Sequence, residues 1–253
     1  MRLSELTAAN LKKLFLFGVR LEDEDGNKLE DDVLDFYIAS SIRQLEAYLG
    51  IYITPRTNIT ERIDYRQDIW RNFAFMQLRQ RPIISVTSIA VKFGDATVFN
   101  APSDWWRIEN RMGQIHFFPT LGTFASVPML GLSALSPVLL KTDTAPQVFE
   151  VVYSAGIAED ALDEDLAEAI FAFAALNIFN IMGDIVIGPG IAGLSMGLDG
   201  LSQSISTTAS SEHSAYGARI ELYQKRMFGA RVGDPGLIHS LRAKWRTAGI
   251  VLL

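Results

Sequence analysis

The sequence predicts an α+β protein: an α-helical bundle with an inserted antiparallel β-rich domain and a C-terminal docking helix. Three observations predict it. Apolar residues recur at helical spacing towards both ends, over Asp31–Leu49, Asp163–Met182 and Ser206–Phe228. Between Asn58 and Ser154 the pattern changes to short runs rich in β-branched and aromatic residues, separated by Gly, Pro, Asn and Asp. Beyond Gly229 and Gly233 a detached segment opens at Asp234-Pro235, a helix-start signal, and carries Ile238, Leu241 and Trp245 at positions of one face. The organisation that follows has N-terminal bundle helices in 1–57 and the inserted β-rich domain in 58–154. Core helices with a glycine-rich loop fill 155–230, and a docking tail fills 231–253.

Composition bounds the function. The chain has 253 residues, 49% hydrophobic and 21% charged, enough to bury a substantial core. Its net charge of −6 argues against nucleic-acid binding held by bulk charge. There is no cysteine, which excludes disulfides and thiolate metal sites and fits a reducing cytoplasm. Leu3–Val19 is interrupted by Ser4, Glu5, Asn10 and two lysines, so no secretory leader is expected there. The apolar run Leu166–Met182 contains Glu168, Asn177 and Asn180, and a buried helix is the better reading than a membrane span.

The elements follow in order. Leu3–Phe17 is an amphipathic helix with Leu6, Leu11, Leu14 and Phe15 on its apolar side, capped by Gly18. Leu21–Asp35 is acidic. Its DEDGN stretch places Asp23, Asp25 and Gly26 at three positions of a calcium loop, but Leu21 and Asp32 stand where that loop needs an acid and a bidentate Glu. A solvated turn whose acids favour the following helix is the reading kept. In Asp31–Leu49 the residues Val33, Phe36, Tyr37, Ser40, Leu45, Tyr48 and Leu49 are read as the apolar side, and Gly50 ends the helix.

Strands are expected at Thr60–Tyr65, Ile84–Phe93, Thr97–Asn100, Trp105–Glu109, Gln114–Phe118 and Gln147–Tyr153, with a hairpin turn at Asn110–Gly113. Pro119–Thr144 reads as a long, nearly uncharged loop. Asp160 or Asp163 caps the long apolar helix, which Gly183 is expected to stop.

Two motif matches fall in the next loop. Gly188–Gly193 matches GxGxxG, but the dinucleotide fingerprint needs a strand before it and a helix after it. Gly193–Gly197 matches GxSxG around Ser195, with His213 and His239 downstream. A serine esterase built on Ser195 is therefore the enzymatic alternative. That motif requires strand–turn–helix, which the surrounding pattern does not offer. Glycines that let a loop bend are the simpler account. The loop residues singled out as meeting a neighbouring subunit or lining a channel are Ile187, Gly188, Ile191, Leu194, Met196 and Leu198.

In Ser206–Phe228 the residues Ala209, His213, Tyr216, Ile220, Tyr223 and Met227 form a heptad-like helix-packing stripe. No second His or acid stands at metal spacing from His213, so a packed histidine is the better reading, and no cofactor or metal is expected. In the tail, Arg242, Lys244 and Arg246 make the helix basic, and the chain ends Ile250-Val-Leu-Leu253. Such a helix docks on a protein partner, lies on a membrane or folds back on its own bundle. The first is preferred. A peripheral interaction module using this helix remains the non-enzymatic alternative.

The residues resemble those of the head–tail connector (adaptor) proteins of tailed bacteriophages. The resemblance runs from Leu14–Gly18, the DEDGN turn and Tyr37-Ile38 through Asp64-Tyr65, Leu78–Val86, Trp105-Trp106 and Gly113–Ile115. It is strongest in Gly183–Gly188, Asp199–Ser204 and Tyr216–Ile220. These are packing and loop motifs, not catalytic signatures.

The resemblance implies a structural ring subunit of the phage neck and no enzymatic activity. The ring, dodecameric in the family, would join the portal protein of the DNA-filled head to a downstream neck or tail protein. DNA would pass through its lumen without sequence-specific binding, and no membrane would be involved. Assembly would take place in the host cytoplasm and the protein would end in the virion. The predicted portal-docking residues are Ile238, Leu241, Arg242, Lys244, Trp245 and Arg246.

Overall fold

The computed structural model describes residues 1–22, 26–72, 75–117, 143–187, 193–198, 201–206, 216–230 and 235–245. The chain is α+β and divides into two compact units. One comprises Met1–Leu49 and Glu159–Leu253, the other Gly50–Ala158.

In the discontinuous unit the two chain segments are tied where Glu159 accepts from the backbone of Ser4 through its carboxylate (2.8 Å) and from Leu3 N through its carbonyl (3.1 Å). Hydrogen bonding from Ser4, aided by the nearby Arg2 charge, holds the Glu159 carboxyl below its usual range. The first helix is shorter than its apolar pattern suggested: Leu3–Glu5 is a 3-10 turn, and helix α1 runs Ala8–Leu14 from the N-cap Thr7. Helix α2 occupies Asp31–Leu49 and stops before Gly50, whose φ of +65° is the left-handed conformation glycine accepts.

The buried stripe of α2 is Leu34, Ile38, Ser41, Leu45 and Leu49. This corrects the phase read from the sequence, since Phe36 is 64% and Tyr48 49% exposed. The branched aliphatic residues set the face, and the aromatics that suggested the other phase lie on the surface, Phe36 edge-on to Tyr37 at 5.4 Å. Ser41 is buried because its hydroxyl donates to the Tyr37 carbonyl at 2.7 Å.

Helix α4 (Glu164–Ile187) is the centre of this unit. Ile170, Phe171, Ala174, Ala175, Ile178 and Phe179 are all essentially inaccessible, and α2 packs against the helix. Glu164–Gly183 is long and apolar enough to cross a membrane, but 67% of that stretch is buried within the chain. Gly183 does not end the helix, contrary to expectation. A glycine inside a helix costs about 0.8–1.0 kcal/mol. Burying Phe179 and Met182 on the adjoining turn outweighs that at about 1.5–3 kcal/mol each.

Beyond α4, the stretch expected to lack regular structure contains two strands. β8 (Gly193–Leu198) and β9 (Leu201–Ser206) pair antiparallel without a register break. Helix α5 (Gly217–Phe228) and helix α6 (Leu237–Trp245) complete the unit. Ser206 therefore ends a strand where a helix start was expected.

The second unit is antiparallel β. A four-stranded sheet has the order β1-β7-β3-β4, with β1 Arg56–Arg66, β3 Ile83–Phe93, β4 Ala96–Asn100 and β7 Thr144–Ala155. A three-stranded sheet has the order β2-β6-β5, with β2 Phe75–Gln77, β5 Trp106–Glu109 and β6 Gln114–Phe117. Helix α3 (Gln67–Asn72) and β2 were not foreseen from the sequence. Residues 110–113 make the expected turn between β5 and β6.

Both sheets contribute to one core that includes Ile89, Ile115, Phe149, Val151 and Tyr153. Register shifts between Val86 and Ser88 and between Val91 and Lys92 break the simple alternation of β3, so Ile89, Ala90 and Val91 are buried consecutively. Tyr153 is wholly inaccessible. Its hydroxyl donates to Glu61 Oε2 at 2.7 Å and accepts from Gln80 N at 3.3 Å. Burial first, and the Glu61 carboxylate second, push its pKa well above the ordinary tyrosine value. On the same sheet Glu150 bonds Lys92 Nζ at 2.6 Å and Arg62 Nε at 3.1 Å. The Lys92 hydrogen bond is the main reason the Glu150 carboxyl lies below its usual range.

Candidate interaction surfaces

The helix-packing stripe has its partner inside the chain. Ile220 and Met227 of α5 are buried, and Tyr216 and Tyr223 half-buried. Phe179 of α4 lies 5.5 Å from the Tyr216 ring and 5.8 Å from that of Tyr223, while Phe15 lies 5.9 Å from Tyr223 and 5.6 Å from Phe171. Polar contacts lock the same seam. Arg226 Nε meets Glu168 Oε1 at 2.6 Å, the Tyr223 hydroxyl donates to the Phe15 carbonyl at 3.4 Å, and the Arg219 guanidinium donates to the Phe17 carbonyl. Burial raises the Tyr223 pKa. Ala209 and His213 lie outside the described residues.

The tail requires a correction. Ile238 and Leu241 are among the predicted portal-docking residues, yet within the chain they are 2% and 1% exposed. Helix α6 folds back on α4, α5 and α2. Its basic residues are engaged too: Lys244 pairs with Asp163, and the Arg242 guanidinium lies 5.3 Å over the Tyr48 ring. Trp245 is half-buried at the helix end, and Arg246 lies outside the described residues. What α6 leaves on the surface is its polar side.

Of the loop residues, Ile187 is the last residue of α4, and Leu194, Met196 and Leu198 belong to β8. Gly188 and Ile191 lie outside the described residues. Ser195 stands in mid-strand, paired with Ser204, so the strand–turn–helix of a nucleophile elbow is not built around it. His239 is exposed on α6. A helix precedes Gly188–Gly193 and a strand follows, the reverse of the dinucleotide order. Asp23 and Asp25 of the calcium-like turn, and most of Pro119–Thr144, lie outside the described residues. Among the described residues no three His, Asp or Glu gather as a metal site.

Sequence reasoning missed an open groove of about 400 Å³ between α1, α4 and α5, lined by Leu14, Phe15, Glu168, Phe171, Tyr223 and Arg226. Exposed Leu14 (55%) stands at its wall. Its signal in the sequence is the pair of acids at helical spacing, Glu164 and Glu168, at the start of a largely apolar helix. Charge also divides between the units. Thirteen Lys and Arg against 21 Asp and Glu leave the helical unit at −8, while ten against eight leave the β unit at +2.

No family model matches the chain, and no curated protein matches it. The chain is similar in structure to components of gene transfer agent (GTA) particles. One is a chain in the virion of a native GTA particle, at 16% identity over 97% of this chain and 91% of that one, with a TM-score of 0.46. Another is in the neck of a native GTA particle computed with C12 symmetry, at 16% identity over 88% and 86%, with a TM-score of 0.40. A third is in the neck of an empty GTA particle computed with C6 symmetry, at 20% identity over 66% and 74%, with a TM-score of 0.37.

Proposed function

We propose that the chain is a structural subunit of a ring in the neck of a tailed particle. The ring joins the portal of a DNA-filled head to the tail and leaves a channel for DNA. The observation that carries this reading is the place of the strongest resemblance. Of Asp199–Ser204 the described residues Leu201–Ser204 fall in β9, and Tyr216–Ile220 falls at the start of the helix that closes the aromatic seam with α4. The resembling residues thus build a helical scaffold and part of a two-stranded hairpin. The −8 charge of the helical unit suits a surface past which a polyanion must slide, since each added cation would hold a phosphate and release a counterion.

In this reading the helices form a bundle into which Gly50–Ala158 is inserted, and α6 belongs to that bundle before it meets any partner. Portal docking then uses the outer side of α6, with Arg242 and Lys244 fixing register more than affinity, together with Trp245 and Arg246. The test is to add the full chain to DNA-filled heads that lack it. Binding in a fixed multiple per portal, with retention of DNA and acceptance of tails, supports the reading. Heads that bind none of the chain overturn it.

A further inference from the structure

The β8–β9 hairpin has two features that a finished element does not normally combine. Among the described residues it is a two-stranded sheet, so one edge of each strand is without a strand partner. A lone hairpin is marginally stable in water. Exposed strand edges are usually blunted by charge, proline or a bulge. Here β8 is Gly-Leu-Ser-Met-Gly-Leu and β9 is Leu-Ser-Gln-Ser-Ile-Ser. Neither has a charge or a proline, and the six pairs from Gly193↔Ser206 to Leu198↔Leu201 run without a bulge.

The register also sorts the residues. Leu194, Met196, Leu198, Leu201, Gln203 and Ile205 fall on one face of the pleat. Gly193, Ser195, Gly197, Ser202, Ser204 and Ser206 fall on the other, which holds nothing but glycine and serine. Two residues separate the strands, so Leu198 and Leu201 are the flanking, hydrogen-bonded pair of a tight hairpin. Alternation then turns the N–H and C=O of the glycine and serine positions outward, along both open edges.

We infer that these hairpins pair edge to edge between copies of this chain, β9 of one against β8 of the next, to make a continuous antiparallel sheet around the channel. A second copy is the occupant because the two edges are complementary. Each has the same length and lacks charge. Rotation-related copies bring β9 beside β8 of the neighbour in antiparallel sense, so every hairpin gives one edge and takes another. About twelve copies supply about 24 strands, a circumference of about 115 Å at ~4.8 Å per strand before tilt widens it. The glycine and serine face is turned to the DNA, where it offers no cation to a phosphate, and the apolar face is turned to protein. The inference rests on the ring reading and adds the contact that closes the ring.

The chain has no cysteine, which gives cross-linking a clean background. Full-length chains carrying Ser195→Cys alone are mixed with chains carrying Ser202→Cys, Ser204→Cys or Ser206→Cys alone, because Ser195 and Ser204 face each other within one hairpin and a double variant would cross-link within itself. Each mixture is assembled on heads and then treated with a short bis-maleimide, with each single variant alone as the control. A covalent dimer in at least one mixture, above its controls, is expected. A second variant, Ser204→Pro, removes one outward donor and leaves the hairpin's own bonds. It is expected to keep the helix signal and unfolding temperature of the parent and to lower assembly about tenfold or more. Assembly that proceeds with no covalent dimer in any mixture, or undiminished in Ser204→Pro, overturns edge pairing and leaves the neck reading standing. Failure of the parent chain itself to join heads overturns the neck reading and this inference with it.

Discussion

Leu241→Ala tests whether α6 belongs to its own unit. Leu241 is 1% exposed on a nine-residue helix, and Ile238, one turn earlier, is 2% exposed. Full burial of two such side chains contributes about 3–6 kcal/mol together. Truncating Leu241 removes its transfer term and leaves a cavity against α4 and α5, a loss of about 2–5 kcal/mol. A helix of only nine residues shifts into such a cavity more readily than a long one, so about 2–3 kcal/mol is expected. For a unit of this size that lowers the unfolding temperature by about 4–12 °C. The assay is thermal unfolding followed by helix circular dichroism. Lys244→Ala, which removes only a part-exposed pair with Asp163, is the companion and should cost under about 1 kcal/mol. Leu241→Ala with an unfolding temperature within a degree of the parent would refute the reasoning, because an undocked helix loses nothing on truncation.

Other outcomes follow from the β unit. Gly156→Ala should destabilise it by about 3 kcal/mol or more, since φ is +127° and the new Cβ would stand 2.6 Å from Pro55 Cα; denaturant titration checks this. Tyr153→Phe leaves Gln80 N without its acceptor and should cost about 1–3 kcal/mol, read by the same titration. Glu150 has a depressed folded pKa. Its contribution is therefore present above the ordinary glutamate range near ~4.3 and is lost as pH falls through the depressed value. The stability gap between parent and Glu150→Gln, measured by chemical unfolding at pH 7 and pH 3, should narrow at the lower pH, and an equal gap at both would count against the network. Tyr153 has a raised pKa and acts in the opposite arm. Stability should fall as pH rises past the ordinary tyrosine value near ~10, and ultraviolet titration of tyrosinate should show two late groups, Tyr153 and the half-buried Tyr223.

The sequence announced most elements whose periodicity is long. Asp31–Leu49 was legible to the residue because acids open it, Gly50 closes it and nineteen residues lie between. Its buried face was misread because Phe36 and Tyr48 weigh as apolar in a pattern but can stay on the surface with their edges wet. The hairpin was hidden by its own composition. Glycine and serine read as loop, and the apolar alternation Leu194, Met196, Leu198 shows only once Leu201, Gln203 and Ile205 are set opposite it. The α6 face was legible, but its occupant was not. Amphipathicity tells that a helix must bury Ile238 and Leu241, and only tertiary structure tells that α4 and α5 of the same chain accept them. The groove beside Arg226 depends on three helices meeting, which no single stretch of sequence encodes.

The central claim is a ring between portal and tail, and its most direct test is the mass of portal complexes with and without the chain. The account predicts that saturating full-length chain adds a fixed, symmetric multiple of its own mass to each portal, about twelve copies by the family resemblance, and adds none to portal-free heads. A portal whose mass does not change at any concentration of the chain, or rises without a plateau, would contradict it.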